Sequence, residues 1–320
     1  MRFVIISDLH ADAHLAGVPR LIEVCQALSL AAQEHSRIED ERKAEAVAVG
    51  GEVRDRPWFV FLGDVLDCAR LDERTPDLVA SLRRVRQAED RSIVIAGNHD
   101  ASSIGERSSA SLVWPHCHDA PAILPWGDAD LLSLVLPYSF AHDQAHYDAI
   151  AEAFLAELGT GRGIVFSHLE FDAATDGSER EMPRGGRLAI PACLLRDDRV
   201  IAIVNGHYHV PQRHGKIIVP GAPVRLRWDE GDPHERGYLV LEVKGRRTDV
   251  DRPRKSALEE VAIDLHDGPM ADPGGGSTRP AGTGDQGTGA GSGKEGDARC
   301  EEHGDARQAK PKGRRRLIPA

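Results

Sequence analysis

The sequence predicts a layered α/β fold with α+β character, followed by a disordered C-terminal tail. Short apolar runs rich in β-branched and aromatic residues alternate with helical stretches over residues 1–245, as in a sheet covered by helices. The last runs follow one another through short turns, so part of the sheet is expected to be antiparallel. From His266 onwards Gly, Ser, Thr and Pro dominate, and too few large apolar residues remain to form a core.

Eight short apolar runs are predicted to be strands, because each is bounded by polar or turn-forming residues. They cover residues 2–6, 58–62, 92–96, 131–136, 163–166, 200–204, 216–219 and 238–243. Three helices are predicted, at residues 18–46, 77–89 and 143–158. The second helix has the clearest start, with Thr75 as a candidate N-cap and Pro76 at the first helical position.

Composition divides the chain of 320 residues into three parts. We expect a folded domain at 1–245, a short C-terminal extension at 246–265, and a Gly-rich tail at 266–320. The tail ends in a basic cluster at 310–316, which is either a solvated terminus or a tether that holds nucleic acid without sequence preference.

Cysteine usage and charge limit the class of protein. The five cysteines form no C-x-x-C pair and no long apolar run occurs, so we expect a reduced, cytoplasmic protein without a membrane-spanning helix. The formal net charge of -11 does not favour binding of nucleic acid by charge alone. Bound divalent cations would reverse the local sign of that charge.

Side chains of metal-ligating type follow five of the predicted strands. They are Asp8 and His10 in SDLH, Asp64 in GD, Asn98 and His99 in GNHD, His168 in SH, and His207 and His209 in GHYH. Ligands bind beyond the carboxyl ends of strands in such sheets, so these residues are expected to share one rim. Imidazole and carboxylate groups suit Mn, Fe, Zn or Ni, and two such ions can activate a water and clamp a phosphoryl group.

A second D-x-H pair, Asp12 and His14, competes with Asp8 and His10 for the first ligand position. We prefer the first pair because it follows its strand directly, whereas the second lies further into the loop. Asp12 and His14 are expected to be solvated loop residues, with the lining of a substrate cleft as the alternative. The histidines outside these motifs, such as His35, are expected to lie at the surface.

The order D-x-H, GD, GNHD, H and GH-x-H resembles that of the calcineurin-like metallophosphoesterase family over about residues 1–245. The resemblance implies a four-layer β-sandwich flanked by helices, with two divalent metals at the strand ends. It implies one metal held by Asp8, His10 and His209, and a second held by Asn98, His168 and His207. Asp64 would bridge the two metals.

The same resemblance assigns roles beside the metals. His99 would face the substrate, where it stabilises phosphoryl oxygens or protonates the leaving oxygen. Asp67, in GDVLD, would orient His99, as a hydrogen-bonded carboxylate fixes the tautomer of an imidazole. Asp100 either shares that role or caps a turn.

Three local features bear on the substrate. GDVLDCA and GNHD lack the GD-x-x-DRG and GNHE patterns of phosphoprotein phosphatases, which argues against that activity. SHLEFD and the segment from GHYH through PGAP to GYLVLEV resemble the SbcD-type DNA-repair exonucleases, especially the short phage-like ones. Ala222 stands where that group usually has Ser, and residues 216–243 could instead serve only to close the sheet.

The resemblance therefore implies a DNA exonuclease or endonuclease of repair or recombination, with Mn favoured over Fe, Zn or Ni. Arg184 and Arg187, in the loop after His168, are candidate phosphate contacts; the alternative is a solvated loop in which Glu179 and Glu181 pair with the arginines. An SbcC-like ATPase and a homodimer are the partners that the resemblance implies. Few residues after Val243 remain for the usual capping and ATPase-binding segments, which puts that partner in doubt.

A small-molecule or nucleotide phosphodiesterase or phosphatase of the same fold is the competing function. The acidic charge and the missing capping domain favour it. A binding module without catalysis is disfavoured, because every expected ligand position is filled.

Overall fold

A computed structural model describes residues 1–15, 17–51, 56–67, 75–85, 91–101, 108–126, 131–172, 174, 188–226, 236–243 and, for the backbone alone, 261–266. The strands are β1 (Arg2–Ile6), β2 (His14–Leu15), β3 (Val18–Pro19), β4 (Trp58–Leu62), β5 (Ser92–Ile95), β6 (Ala122–Pro125), β7 (Leu131–Leu136), β8 (Arg162–Ser167), β9 (Val200–Asn205), β10 (Gln212–His214), β11 (Ile217–Val219), β12 (Tyr238–Val243) and β13 (Val261–His266). The helices are α1 (Leu21–Ala48), α2 (Thr75–Val85), α3 (Ala110–Val113), α4 (Gln144–Leu158) and α5 (Ala192–Arg196).

Two mixed sheets form the centre of the fold. The first has the strand order β13-β12-β1-β4-β5, and the second has the order β10-β11-β9-β8-β7-β6. Strands β1, β4 and β5 run parallel to one another, as do β7, β8, β9 and β11. The remaining strands pair antiparallel, as the short connections near the end of the domain predict.

Three apolar clusters stack these elements into four layers. Alternate residues of β1 point to opposite faces, so Phe3 and Ile5 pack between the two sheets while Val4 and Ile6 pack under α1 and α2. On the far side, helix α4 packs against the second sheet through side chains such as Phe154. Both faces of β1 are therefore buried, which explains its uninterrupted apolar sequence. The predicted four-layer sandwich flanked by helices is confirmed.

The eight predicted strands are present, with small shifts at their ends, and five further strands and two short helices were not predicted. Helix α1 begins at Leu21, after a two-residue strand, and α2 already includes Thr75, which the sequence placed at the N-cap. His35 was wrongly expected at the surface. It lies on the buried face of α1, where its Nε2 is 3.2 Å from the carbonyl oxygen of Pro57.

Strand β13 lies in the segment that the sequence marked only as an extension. It pairs antiparallel with β12 along its whole length, from Val243 opposite Val261 to Tyr238 opposite His266. The Gly-rich tail beyond His266 lies outside the described residues. Within the described part of the chain, no helix is long and apolar enough to cross a membrane.

Candidate metal centre

The carboxyl ends of β1, β4 and β5 from one sheet and of β8 and β9 from the other meet at one rim of the sandwich. The seven candidate ligands follow these ends, and all of them are buried: Asp8, His10, Asp64, Asn98, His168, His207 and His209. Buried carboxylates and imidazoles are rare unless they are paired or bind a metal, so their convergence marks a functional centre.

The backbone of the rim is strained at the ligands themselves. Asp8, His10, Asp64 and His207 have φ values of 49°, 41°, 47° and 77°, and in the described ranges these are the only non-glycine residues with positive φ. Such conformations are uncommon for residues with a Cβ and concentrate at functional sites. Their restriction to candidate ligands is independent evidence that the rim is the site.

Three glycines precede ligands, and the structure gives them two different roles. Gly63 has φ of 87°, a left-handed conformation that glycine adopts without strain, and a Cβ there would also lie 2.4 Å from Nδ1 of His168. Gly97 and Gly206 allow close approach of other groups without a positive φ. A Cβ at Gly97 would lie 2.0 Å from Oδ1 of Asp64, and one at Gly206 would lie 2.3 Å from the carbonyl oxygen of Leu62.

The first group of candidate ligands contains Asp8, His10 and His209, whose ligand atoms lie within 4.8 Å of one another. The Nε2 atoms of His10 and His209 are 3.1 Å apart. The Nδ1 atom of His10 is 3.0 Å from Oδ1 of Asp67, so it is expected to donate its proton there and leave the Nε2 lone pair for a metal. Asp8 is oriented by the backbone N–H of His207, which donates to Oδ1 at 2.9 Å.

The second group contains Asp64, His168 and His207, again within 4.8 Å, together with Asn98. Nδ1 of His168 donates to the carbonyl oxygen of Leu62 at 2.6 Å, which leaves its Nε2 for a metal. The Oδ1 atom of Asn98 lies 3.0 Å from that Nε2 and 2.9 Å from Nδ1 of His207. Three potential donor atoms therefore point at a common space.

Asp64 lies between the two groups. Its Oδ2 is 3.1 Å from Nε2 of His168 and 3.7 Å from Nε2 of His10, so one carboxylate faces ligands of both groups. Burial raises the pKa of Asp64, but His168, His99 and His10 outweigh that effect and hold the pKa well below its usual range. Burial lowers the pKa of His168, but Asp64 outweighs it and raises the pKa to about 9. Asp64 and His168 therefore stabilise the charged form of each other.

The donor set fits divalent cations. Oδ2 of Asp64 is buried, and its near neighbours are the imidazole nitrogens of His168 and His10, at 3.1 Å and 3.7 Å. A buried carboxylate needs positive charge beside it, and a bound cation supplies that charge. The mixture of imidazole nitrogens with carboxylate and amide oxygens suits Mn, Fe or Zn better than Ca or Mg.

His99 lies at the open side of the centre, with its side chain 27% exposed. Its backbone N–H donates to Oδ1 of Asp64 at 2.9 Å, and its Nδ1 is 2.7 Å from the carbonyl oxygen of Asp67. The carboxylate of Asp67 is nearer to His10, at 3.0 Å, than to Nδ1 of His99, at 3.7 Å. Asp67 thus contacts His99 mainly through its backbone, whereas the sequence had suggested its carboxylate.

Asp100 caps turns through its carboxylate. Its carboxylate accepts the backbone N–H groups of Gly97, Val65 and Leu66 at 3.1–3.2 Å, and the hydroxyl of Ser109 at 3.2 Å. Burial and the nearby Asp64 raise the pKa of Asp100 to about 6. Of the two readings that the sequence left open, the geometry favours the turn-capping one.

Sequence reasoning missed two residues that fasten the ligand loops. Arg236 is fully buried, and its Nη1 donates to the carbonyl oxygens of His209, Ala222 and Val224 at 3.1–3.3 Å. Asn205 donates through Nδ2 to the carbonyl oxygen of Leu169 and accepts the N–H of the same residue. An Asn-Gly pair after a strand is typical of a turn and gives no sign of this role, and a single Arg before a strand carries no pattern.

Two further sequence predictions concern the candidate phosphate contacts and the second D-x-H pair. Arg184 and Arg187 lie outside the described residues. Asp12 is not a simple solvated residue, since its Oδ1 accepts the backbone N–H of Asp67, whereas His14 is exposed.

The fold and the site define the chain as a metal-dependent hydrolase. More specifically, the chain belongs to the calcineurin-like phosphoesterase family, whose sequence model matches residues 1–211. The family and the metal-ligating clusters agree on divalent cations as cofactors.

Solved structures give more distant matches. The calcineurin-like phosphoesterase YfkN from Bacillus subtilis is 9% identical, with 82% of this chain and 90% of that chain covered at a TM-score of 0.43. A cold-active protein-tyrosine phosphatase of a psychrophilic Shewanella species is 13% identical, with 75% and 74% covered at a TM-score of 0.31. No curated protein matches the sequence.

Proposed function

We propose that the protein hydrolyses phosphodiester bonds of DNA with two divalent cations, of which Mn²⁺ is our first choice. One observation carries the two-metal part of the proposal: Asp64 faces nitrogen ligands of both candidate groups, at 3.1 Å and 3.7 Å. A carboxylate in that position suits a bridge between two ions. The candidate ligands then divide as Asp8, His10 and His209 for one ion and Asn98, His168 and His207 for the other.

When bound, such ions lower the pKa of a coordinated water and polarise the phosphoryl group. The protein supplies a rigid, buried frame for them, because each ligand loop is tied to its neighbours by backbone hydrogen bonds. The N–H of His10, for example, donates to the carbonyl oxygen of Asp64 at 2.9 Å. The frame therefore needs little rearrangement during the reaction.

His99 is the substrate-facing group in this proposal. Its Nδ1 lies 2.7 Å from the carbonyl oxygen of Asp67, which fixes the orientation of the ring, and we assign Nε2 to the substrate. From there the imidazole can donate a hydrogen bond to a phosphoryl oxygen or a proton to the leaving oxygen. Partial exposure beside a buried centre is the position that this role requires.

DNA as the substrate is supported by the resemblance of the segment after GHYH to SbcD-type nucleases. In the structure that segment is hydrogen-bonded to the candidate ligand His209. The N–H of Ala222 and Nη1 of Arg236 both donate to the carbonyl oxygen of His209. Because Ala222 and Val224 are buried, we assign the turn to shaping the loop and not to touching DNA. A homodimer and a cytoplasmic location are part of the proposal, and an SbcC-like ATPase is its less favoured partner.

A small-molecule phosphodiesterase or phosphatase activity is the second candidate. The formal net charge of -11 favours it, because long DNA is repelled by an acidic surface wherever metals do not neutralise it.

A substrate comparison tests the proposal. Purified protein with Mn²⁺ is assayed on linear and hairpin DNA, and in parallel on bis(p-nitrophenyl) phosphate and a panel of nucleotides. DNA cleavage that disappears with EDTA is the expected result. Rapid hydrolysis of the small esters without DNA cleavage would establish the second candidate instead, and inactivity on every substrate would refute both.

A further inference from the structure

Asp67 contacts three different residues of the site through three different groups. Its carboxylate lies 3.0 Å from Nδ1 of His10, and its carbonyl oxygen lies 2.7 Å from Nδ1 of His99. Its backbone N–H donates to Oδ1 of Asp12 at 2.5 Å. The first two contacts set the orientation of a candidate metal ligand and of the substrate-facing imidazole. Both orientations therefore depend on where the backbone of Asp67 lies.

The turn that carries Asp67 is exposed at its end. Val65 and Leu66 are buried and their N–H groups are held by Asp100, whereas the Asp67 side chain is 48% exposed. Residues 68–74 lie outside the described part of the chain. Asp12 therefore holds the backbone N–H of Asp67, the last residue of this described stretch.

Asp12 itself is held in place from both sides. The N–H of Ala11 donates to the carbonyl oxygen of Val65 at 3.0 Å, and the N–H of Ala13 donates to that of His10 at 2.8 Å. Both alanines are buried, so the backbone of Asp12 cannot drift without breaking these contacts. A short, rigidly mounted side chain is an effective anchor because little conformational entropy is lost when it forms its hydrogen bond.

We propose that Asp12 is a positioning residue, whose carboxylate oxygen fixes the Asp67 peptide and, through it, the imidazoles of His10 and His99. Asp12 acts as a hydrogen-bond acceptor and not as a metal ligand or a required negative charge. This assigns a role to the second D-x-H pair, in which Asp12 contributes to the site and the exposed His14 does not.

Conservative substitution separates the acceptor from the charge. Asp12→Asn keeps an oxygen at the same position but removes the charge, while Asp12→Ala removes both. Asp143→Ala is the matched control, because Oδ1 of Asp143 also accepts one backbone N–H, that of His146 at 3.0 Å, at the start of α4, and Asp143 belongs to neither candidate ligand group. Any general cost of losing such a contact appears equally in the control.

The kinetic arm rests on the proposed phosphoester hydrolysis and uses bis(p-nitrophenyl) phosphate with Mn²⁺. For Asp12→Ala we expect kcat to fall by about 10- to 100-fold, as for the loss of a group that orients catalytic residues. KM and metal content should change by less than about 3-fold, and Asp12→Asn should keep kcat within about 3-fold, because its amide oxygen accepts the same hydrogen bond. Asp143→Ala should retain the wild-type kcat.

A second experiment is spectroscopic and does not depend on catalytic activity. In full-length protein loaded with diamagnetic Zn²⁺, long-range ¹⁵N–¹H spectra report the tautomer and environment of each histidine ring. The signals of His99 and His10 should move in Asp12→Ala and stay in place in Asp12→Asn and Asp143→Ala. Should Asp12→Ala lose its fold, Asp12→Leu replaces it, since Leu has the shape of Asp without an acceptor.

Two results would overturn the proposal. Equal loss of kcat in Asp12→Asn and Asp12→Ala would show that the charge matters, and unmoved His99 signals in Asp12→Ala would show that no positioning occurs. Inactivity of the wild-type protein on the phosphodiester would refute the proposed function alone, because the spectra still decide the role of Asp12.

Discussion

At the scale of single residues, the ligands combine strained backbones with buried polar groups. Asp8, His10, Asp64 and His207 adopt left-handed conformations that cost of order 1–3 kcal/mol each. The sequence identified these residues by type and by their place after strands, but it held no sign of their φ values. It also gave Asp67 a side-chain contact with His99, because a motif shows which residues meet but not which atoms.

Replacement of His99 tests the separation between substrate-facing and metal-holding residues. We expect His99→Ala to lower kcat by about 10²- to 10⁴-fold, the usual contribution of one general acid or electrostatic donor. Metal content, measured by inductively coupled plasma mass spectrometry, should stay near that of wild type, because His99 belongs to neither proposed ligand set. Loss of metal together with activity would contradict the assignment.

Replacement of Asp64 tests the proposed bridge. Asn accepts a left-handed conformation as readily as Asp, so Asp64→Asn keeps the backbone and removes only the charge. We expect Asp64→Asn and Asp64→Ala both to bind less metal and to lose turnover, with Asp64→Ala also less stable because Ala disfavours φ of 47°. Metal titration by calorimetry measures the first effect, and full activity in either variant would exclude a bridging role.

At the scale of elements, the sequence predicted the long buried strands well and the edge strands poorly. Strands such as β1 are buried on both faces and read as continuous apolar runs, so their position was evident. Strands β10 and β6 lie at the two edges of their sheet, are three and four residues long, and expose part of their side chains. Among the described strands, β13 pairs with β12 alone and has the sequence VAIDLH. Its polar residues Asp264 and His266 interrupt the apolar run, so the strand was not recognised from the sequence.

The close approach of elements at Gly206 gives a test at this scale. A Cβ there would lie 2.3 Å from the carbonyl oxygen of Leu62, 2.5 Å from Oγ of Ser7 and 2.8 Å from Nδ1 of His168. We expect Gly206→Ala to force the end of β9 away from β4, with a cost of roughly 1–3 kcal/mol of overpacking and weaker metal binding. Urea unfolding and metal titration measure the two effects.

Gly51→Ala is the matched control for this change. A Cβ at Gly51 would meet its nearest atom at 3.7 Å, an ordinary van der Waals contact. Equal stability of the two variants would show that the crowding at Gly206 is relieved without cost.

At the scale of the whole molecule, the site is assembled from both sheets. Asp8, Asp64 and Asn98 follow strands of the first sheet, whereas His168 and His207 follow strands of the second. The fold class and the ligand set were predictable because each strand end carries its own motif. The substrate was not, because the motifs define only the chemistry of the rim, and residues 175–187, which carry the candidate phosphate contacts, lie outside the described residues.

Metal removal should therefore weaken the whole domain and not only the rim. A ligand that binds only the folded state stabilises it by RT ln(1 + [L]/Kd), about 2.7 kcal/mol at a free concentration 100 times Kd. We expect EDTA to lower the melting temperature by several degrees and Mn²⁺ or Zn²⁺ to restore it, as measured by differential scanning calorimetry. If wild-type protein shown to contain metal melts at the same temperature before and after EDTA removes that metal, the ligands do not link the two sheets.

The placement of β1 has a consequence for synthesis of the chain. One of its two neighbours, β4, follows some fifty residues later, but the other is β12, with Phe3 opposite Leu241 and Ile5 opposite Leu239. The ribosome must make nearly the whole domain before that edge of β1 is covered. Nascent chains that lack β12 would expose an apolar strand edge, so incomplete or truncated forms should be the ones that aggregate or engage chaperones.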